Sequence, residues 1–315
     1  MAAEVDALVA TRGDILRDRL ERVELRLREI AAEAAPPLDA LAGDTIAAGG
    51  KRLRPLLVLL AAGDPPDDDD GLIRAAVAVE LVHSATLVHD DVLDSAHLRR
   101  GHPTVWATAG RQGAIATGDY LFARAFSELV ANGRIDEVAV LSQAGSALVE
   151  GELLQREDAF DTSITLERYL LRCELKTARL FEGACRLGAL ESGADGEALG
   201  MFGRRIGLAF QLLDDVLDVS GPVERTGKPR GTDLLDGTVT LPFILARERD
   251  PALRDVGRVT TPAEAEALCD RIAATGALEA ARDRALTIVV DAKAGLPTPD
   301  PALELVADGV VERYA

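Results

Sequence analysis

One apolar stretch, residues 80–94, constrains this chain more than any other, because it ends in three aspartates spaced DDxxD. It contains no glycine or proline, and its composition favours a helix. A helix rises about 1.5 Å and turns about 100° per residue, so Asp90 and Asp94 share a face roughly 6 Å apart, with Asp91 beside them. Carboxylates this close repel one another unless cations lie between them, and oxygen ligands suit Mg²⁺. The stretch therefore predicts a metal-bridged anion beside an apolar cavity.

A second helical stretch, residues 210–218, repeats the spacing at Asp214, Asp215 and Asp218. A single motif of this kind is explained equally well as an ordinary helix end. Two copies inside apolar helices are different, because burying or half-burying six carboxylates is costly without compensating cations. If the two helices face each other, they form two acidic walls that hold Mg²⁺ ions, which in turn hold a diphosphate.

Helical periodicity runs through almost the whole chain, so we predict one all-α domain over residues 1–315. Aromatic residues make up only 3% of the chain, while alanine and leucine are abundant, which favours helix over sheet. The best strand candidate, 287–290, fits a buried helix equally well, and no repeat or composition shift marks a second domain. The predicted helices cover 4–34, a short helix up to 48, 56–62, 71–96, 110–131, 135–157, 165–190, 195–219, 238–249, 261–275, 277–295 and 300–313.

Charge, cysteines and apolar runs limit the classes of function. The formal net charge of −18 argues against a nucleic-acid partner. The cysteines are scattered and never spaced CxxC, which is typical of a reduced cytoplasmic protein without structural zinc or disulfides. The N-terminus lacks the pattern of a signal peptide, and the longest apolar run, 56–62, is far shorter than the about 20 residues of a membrane span. We therefore predict a cytoplasmic protein without a transmembrane segment.

Basic residues cluster in the glycine-led loop, residues 49–55, and close in sequence to both aspartate motifs. A lone lysine or arginine would be ordinary surface charge. In a chain with a net charge of −18, clusters beside glycine turns and acidic motifs predict a second anion that is bound directly by cations. The residues concerned are Lys51, Arg54, Arg99, Arg100, Lys176 and Lys228.

Seven motifs, in order, closely resemble those of the trans-type polyprenyl diphosphate synthases of the medium- and long-chain type. The resemblance spans nearly the whole chain, and the ordered set is highly specific. It implies the isoprenoid synthase type I fold, a bundle of roughly ten or more helices around a central cavity, with Mg²⁺ as the cofactor and a homodimer as the assembly. The motifs are GGKRLRP at 49–55, HDDVLD at 89–94, RRGHPT at 99–104, GELLQ at 151–155, KTARLF at 176–181, FQLLDDVLD at 210–218 and GKPRGTDL at 227–234.

The resemblance also implies roles for individual residues. Three Mg²⁺ ions would be held by Asp90, Asp94, Asp214 and Asp218. Isopentenyl diphosphate would bind to Lys51, Arg54, His83 and Arg100. The allylic diphosphate would bind to Arg99, Lys176, Thr177, Gln211 and Lys228. The catalytic set would be Asp90, Asp91, Asp94, Arg99, Lys176, Asp214, Asp215 and Asp218.

The reaction that the resemblance implies is head-to-tail chain elongation. Metals and cations neutralise the charge that builds on the leaving diphosphate, so the allylic C–O bond breaks to give a carbocation. The isopentenyl double bond attacks this cation, and a proton is then lost to the departing diphosphate. No side-chain nucleophile or general base is evident, and the mechanism requires none. The product would be an all-trans polyprenyl diphosphate.

Two rival functions share parts of this pattern. A class I terpene cyclase also ionises an allylic diphosphate beneath an aspartate motif, but the second DDxxD and the residues Lys51 and Arg54 argue against it. A non-catalytic subunit of a heteromeric synthase would usually have lost aspartates or cationic ligands, and this chain retains both sets.

His83 has alternative interpretations. The pair Glu80 and His83 resembles half of a di-iron carboxylate site, which also occurs in helical bundles. That site needs a second Glu-x-x-His, and no other histidine follows a glutamate by three positions. His83 could also be a satisfied polar residue on a half-buried helix. We expect His89 to be structural or to support the residues that bind the substrate. The acidic run Asp67–Asp70 is expected to be surface charge at a helix start.

Product length is predicted from the helix turn that precedes the first aspartate motif. Ala85 and Thr86 lie about 6–7.5 Å from Asp90 along the helix. Family members that make short products carry bulky aromatics at these two places, so small residues predict an open tunnel, although tight helix packing would also explain them. Phe122 and Phe126 are candidates for a deeper floor. We predict a product of about thirty carbons or longer, with a farnesyl or geranylgeranyl product as the alternative.

One position departs from the family pattern. Thr238 stands where family members commonly carry lysine, which weakens the case for a cation at that place. The neighbouring candidate Lys228 is unaffected.

Overall fold

The computed structural model describes residues 8, 11–63, 68–99, 101–221 and 230–312. This part of the chain is almost entirely helical, which confirms the predicted all-α class. A π-helical turn spans Glu174–Ala178, and a 3₁₀ turn spans Pro251–Leu253. Two short strands, β1 (Leu98–Arg99) and β2 (His102–Pro103), form one antiparallel pair. The α-helices are α1 (Asp14–Ala32), α2 (Leu38–Ala47), α3 (Leu53–Ala61), α4 (Asp70–Leu93), α5 (Val105–Ala131), α6 (Ile135–Glu157), α7 (Leu166–Cys173), α8 (Arg179–Ser192), α9 (Gly196–Ser220), α10 (Thr232–Leu235), α11 (Leu241–Arg249), α12 (Pro262–Ala274), α13 (Ala277–Ala294) and α14 (Pro301–Glu312).

The chain divides into two compact units. The first unit combines Met1–Gly145, Leu180–Gly200 and Pro297–Leu305. The second unit combines Ser146–Arg179, Met201–Leu296 and Val306–Ala315. Each aspartate motif therefore belongs to a different unit.

Helix α4 is the core helix of the first unit. All of its residues from Ala75 to Val82 are buried, which is the pattern of a helix that is apolar all round. Among the described residues it alone has the length and hydropathy of a membrane span, but 72% of its apolar window is buried inside the protein, as expected for a core helix. It packs along α5, where a Cβ at Gly118 would lie 2.2 Å from His89 Nε2. His89 therefore packs closely against Gly118 of α5.

Several helix boundaries differ from the predicted ones for local reasons. Helix α5 begins at Val105 because the Thr104 hydroxyl accepts a hydrogen bond from the Ala107 amide at 3.1 Å. Gly110, at φ 68°, then interrupts the helix and explains why the sequence pattern indicated a start there. The stretch 165–190, predicted as one helix, contains the π-helical turn. The strand candidate 287–290 lies within α13 and is helical.

The acidic run before α4 is only partly the surface charge that was predicted. Asp70 is exposed and begins α4. Asp69, however, accepts hydrogen bonds at 2.6 Å from both Arg19 and Arg22, and its side chain is only 11% exposed. The prediction was wrong for Asp69, because two arginines of α1 compensate its charge in a partly buried position. Asp67 lies outside the described residues.

A buried carboxyl, Glu137, lies in the first turn of α6. Its side chain is 0% exposed, and its Oε2 accepts a hydrogen bond from Asn132 Nδ2 at 2.9 Å. The carboxyl of Glu191 makes hydrogen-bonding contact with it, while Arg134 Nε lies 3.4 Å from Oε1. Burial, together with the second carboxyl, raises the pKa of Glu137 to about 8.

This carboxyl gives the protein a stability that depends on pH. Between its ordinary value of 4.5 and the folded value of about 8, the folded chain binds a proton that the unfolded chain has lost. The free energy of unfolding is therefore expected to fall as pH rises through this window, by up to about 1.4 kcal/mol per pH unit. Urea unfolding between pH 5 and pH 9 measures the slope. The variant Glu137→Gln should lose this part of the slope, and an unchanged slope would contradict the assignment.

Candidate active site

The first aspartate motif lies at the C-terminal end of α4. Asp90 is half-buried, Asp91 is buried and Asp94, the C-cap residue, is exposed. The C-terminus of a helix carries partial negative charge, so carboxylates are unfavourable there, and the last turn of α4 contains no basic residue. The local electrostatics therefore favour a bound cation at this helix end.

The middle aspartate of this motif fixes an arginine. Asp91 is only 4% exposed, and its Oδ1 accepts a hydrogen bond at 2.8 Å from Nε of Arg99, a β1 residue. Burial raises the pKa of Asp91, while the positive charge of Arg99 opposes this rise. Asp91 thus holds the guanidinium that the sequence assigned to the allylic diphosphate.

A cavity of about 370 Å³ lies beside this end of α4, within the first unit. His83, which was predicted to bind isopentenyl diphosphate, lines this cavity. Of the other residues predicted for this substrate, Lys51 is exposed, and the Arg54 guanidinium lies 4.7 Å from the ring centre of Phe181. Arg100 lies outside the described residues. Polar and charged residues that also line the cavity are Asp44, Thr45, Arg52, Glu80, Ser84, Asp91, Arg99, His102, Thr104 and Thr108.

The second aspartate motif lies in the last turns of α9, again without a basic residue in the last turn. Asp214 is half-buried, whereas Asp215 and Asp218 are buried. Asp215 accepts hydrogen bonds from Tyr169 Oη at 2.5 Å and from Gln211 Nε2 at 2.8 Å. Burial raises the pKa of Asp215 to about 7, although both hydrogen bonds oppose the rise. The middle aspartate is again a buried acceptor that orients its neighbours.

Two residues predicted to bind the allylic diphosphate are connected to this acceptor. Gln211 Oε1 accepts a hydrogen bond from Thr177 Oγ1 at 2.7 Å. The order Thr177, Gln211, Asp215 and Tyr169 is therefore a continuous chain of hydrogen bonds within the second unit. Such a chain fixes the orientation of the Gln211 amide and the Thr177 hydroxyl.

Lys176 lies in the π-helical turn and is held by a glutamate of α6. Its Nζ lies 2.5 Å from Glu152 Oε2, and Arg156 Nε donates to the other oxygen of Glu152 at 2.8 Å. Gly151 permits the close approach, because a Cβ there would lie 2.5 Å from the Lys176 backbone nitrogen. Short π-helical turns occur frequently at functional sites. The motifs GELLQ and KTARLF thus meet in space through Gly151, Glu152 and Lys176.

The segment that follows the second aspartate motif is tied to Asp218. The Asp233 amide donates to Asp218 Oδ2 at 3.2 Å, and the Gly231 amide donates to the Asp218 carbonyl at 2.9 Å. Arg172, which is buried, donates to the carbonyl oxygen of Val239 at 2.5 Å. Lys228 lies outside the described residues.

The predicted chain-length residues all lie in the first unit. Ala85 is fully buried in α4, and Thr86 is half-buried, with its hydroxyl donating to the His83 carbonyl at 2.8 Å. Phe122 and Phe126 are half-buried and lie one turn apart on α5. The Phe122 ring stacks on His89 with 6.1 Å between the ring centres.

The donor chemistry of both motifs fits a divalent cation. No group of three or more His, Cys, Asp or Glu side chains arranged to hold a metal ion occurs among the described residues. Mg²⁺ usually keeps several waters and binds to one or two carboxylates together with substrate phosphates. Asp90, Asp94 and Asp214 retain the solvent access that such a hydrated ion requires.

Several residues of the site have no role in the sequence analysis. Tyr169, Arg172 and Glu152 make the contacts described above; of these, only Glu152 lies in one of the sequence motifs, GELLQ. Glu80 was considered only as half of a di-iron site. Its carboxylate instead accepts a hydrogen bond from Arg52 Nη1 at 2.7 Å. The position of Glu80 inside a long apolar helix could have predicted a buried ion pair from the sequence.

Known proteins are similar to this chain in sequence and in fold. The family model for polyprenyl synthetase matches residues 36–271. Heptaprenyl diphosphate synthase component 2 of Geobacillus stearothermophilus is 41% identical over 291 residues, which cover 90% of this chain and 91% of that protein. Geranylgeranyl diphosphate synthase of Methanosarcina mazei is 35% identical over 322 residues, which cover 97% of this chain and 99% of that protein.

A solved structure extends the comparison to the fold. Polyprenyl synthase of Caulobacter crescentus, crystallised with calcium and isoprenyl diphosphate, superimposes with a TM-score of 0.88 at 36% identity. The match covers 99% of this chain and 98% of that one. The family depends on divalent metals and uses isopentenyl and allylic diphosphates as substrates. This chain belongs to the polyprenyl synthetase family, has the isoprenoid synthase type I fold and is a prenyltransferase.

Proposed function

We propose that this protein condenses isopentenyl diphosphate with an allylic diphosphate by Mg²⁺-dependent head-to-tail elongation. The product is an all-trans polyprenyl diphosphate. The observation that carries this proposal is the common plan of the two aspartate motifs. Each lies at a helix C-terminus, keeps at least one outer aspartate accessible, and uses its buried middle aspartate to orient a residue assigned to the allylic diphosphate.

The residues of the second unit bind and orient the allylic diphosphate. Thr177 and Gln211 present polar atoms whose directions are fixed by Asp215. Lys176 supplies a positive charge close to them in sequence, and Arg99 of the first unit supplies another. When bound, three Mg²⁺ ions held by Asp90, Asp94, Asp214 and Asp218 would neutralise charge on the leaving diphosphate.

The residues of the glycine-led loop and of α4 bind isopentenyl diphosphate. Lys51 and Arg54 supply cations, and His83 faces the 370 Å³ cavity beside the first aspartate motif. Bound in this way, the isopentenyl double bond is held near the carbon from which the diphosphate departs, and such positioning lowers the barrier without a protein nucleophile.

We propose a product of about thirty carbons or longer, because Ala85 and Thr86, the two α4 positions predicted to limit chain length, are small. Ala85 is fully buried and contributes only a methyl group, and Thr86 is the next residue. The similarity to a heptaprenyl diphosphate synthase component supports a long product. The similarity to a geranylgeranyl diphosphate synthase supports the shorter alternative.

The variant Ala85→Phe is expected to shorten the product. A phenyl ring at this fully buried position would project from α4 one turn before Asp90 and occupy space needed by the growing chain. Mass spectrometry of the products after complete conversion measures the change. Ala78→Phe, at another fully buried alanine of α4 about three turns from Asp90, is the matched comparison and should shorten the product less. An unchanged length with Ala85→Phe would show that the chain grows elsewhere.

The purified chain should be incubated with isopentenyl and farnesyl diphosphates and Mg²⁺, and the product mass measured. We expect an elongated linear diphosphate, with activity lost on chelation and restored by Mg²⁺. A cyclic hydrocarbon would indicate a class I terpene cyclase instead.

A non-catalytic subunit is the second candidate, because one similar protein is named component 2 of a heptaprenyl synthase. Absence of turnover until another polypeptide is added would favour this candidate. Our own proposal is a homodimer in the cytoplasm in which residues 1–315 act as one catalytic domain.

A further inference from the structure

We infer that Arg52 and Glu80 are positioning residues for isopentenyl diphosphate, which they serve by fixing the glycine-led loop to α4. This inference rests on the proposed function. Neither residue is in the set that the family resemblance assigns to a substrate or metal, although Arg52 stands between Lys51 and Leu53 in the same motif.

The hydrogen bonds of Arg52 explain why it does not bind an anion itself. Its Nη1 donates to Glu80 Oε1 at 2.7 Å, and its Nε donates to Glu24 Oε1 at 2.5 Å. Its Nη2 donates to the Ile46 carbonyl at 2.9 Å and to the second oxygen of Glu24 at 3.3 Å. Almost all N–H donors of the guanidinium are therefore used within the protein. The side chain is only 12% exposed.

The backbone of Arg52 requires this support. Its φ is 48° and its ψ is 34°, in the left-handed region that L-residues rarely adopt. The residue immediately precedes α3, so its conformation sets the direction in which the loop enters that helix. The left-handed turn places the Arg52 side chain against Glu24 of α1 and Glu80 of α4, whereas its neighbour Lys51 is exposed.

Glu80 connects this loop to the helix that carries the first aspartate motif. Its side chain is 5% exposed, so its charge depends on the arginine for compensation. It precedes His83 by one helical turn, a rise of about 4.5 Å. The ion pair therefore sets the distance between His83 and the loop cations Lys51 and Arg54. All three residues are assigned to isopentenyl diphosphate. A displacement of about 1 Å in such a site is enough to cost a large factor in activity.

The test compares substrate constants in two variants. Glu80→Gln keeps the shape of the side chain but removes the charge, and Arg52→Lys keeps the charge but lacks the planar fork of donors that bonds to Glu24, Glu80 and Ile46. Each is expected to raise KM for isopentenyl diphosphate at least about tenfold, while KM for the allylic primer changes less than about twofold. Glu21→Gln, an exposed glutamate of α1, is the matched control and should leave both constants unchanged.

The outcomes separate this inference from the proposed function. If the unmodified chain does not elongate a primer, the proposed function fails before any variant is compared. If it does elongate, an unchanged KM for isopentenyl diphosphate in folded Glu80→Gln and Arg52→Lys overturns the inference alone. Equal rises in both KM values would assign the ion pair to general stability and would also overturn it. Thermal unfolding identifies a variant that has failed to fold, and the other variant then decides the test.

Discussion

Alanine at Asp90 or at Asp214 is expected to lower kcat by about 10²–10³, the cost of removing one preorganised electrostatic stabiliser of a transition state. Both residues are half-buried outer members of their motifs and lie near helix C-termini without basic residues in the last turn. Removing either carboxylate weakens the hold on the cation that neutralises the leaving diphosphate. Steady-state kinetics with saturating substrates and a large excess of Mg²⁺ measure the loss.

The fold is expected to survive both replacements, because alanine is the best helix former and neither carboxylate is fully buried. Asp18→Ala is the matched control, since Asp18 lies in α1 with its side chain 67% exposed and makes only a surface ion pair with Arg22. Near-normal kcat in Asp90→Ala and Asp214→Ala would refute the two-motif metal site. An equal loss in Asp18→Ala would point to global charge and not to the motifs.

The variant Gly151→Ala is expected to reduce kcat/KM for the allylic substrate by about 10–100-fold. The added Cβ would lie 2.5 Å from the backbone nitrogen of Lys176 and 2.8 Å from its Cα, so the π-helical turn must move. That movement displaces Lys176 and its neighbour Thr177, both assigned to the allylic diphosphate.

The same helix provides a control for this variant. Gly145→Ala also adds a methyl group to α6, but the nearest atom, Phe122 Cε1, is 4.0 Å away. Both variants gain helix propensity of about 1 kcal/mol, so propensity cannot explain a difference between them. Comparable activity in the two variants would show that the close approach at Gly151 does not position Lys176.

The aspartate motifs show which features of the site residue spacing predicts and which it does not. Spacing alone placed Asp90 and Asp94 on one helix face and predicted the demand for cations, because helical geometry is local. It could not show that Asp90, Asp94 and Asp214 stay accessible while Asp91, Asp215 and Asp218 are buried. Asp91 and Asp215 are held by their partners Arg99, Gln211 and Tyr169, and of these three only Tyr169 is distant in sequence.

Two glycines also separate what the sequence predicts from what the three-dimensional structure decides. The sequence contains GELLQ and KTARLF as separate motifs, and nothing in either shows that Gly151 contacts Lys176. Likewise, the kink at Gly110 and the N-cap at Thr104 moved the start of α5, because capping and backbone conformation override a weak periodic signal.

The sequence by itself determined the helical class, the two aspartate motifs and the reaction family, because periodicity and motif spacing are properties of neighbouring residues. Only the tertiary structure decided that Glu80 pairs with Arg52 and that Asp69 is compensated by Arg19 and Arg22. These pairings follow from burial. A charge taken out of water needs a partner, and the fold determines which residue of opposite charge lies within reach.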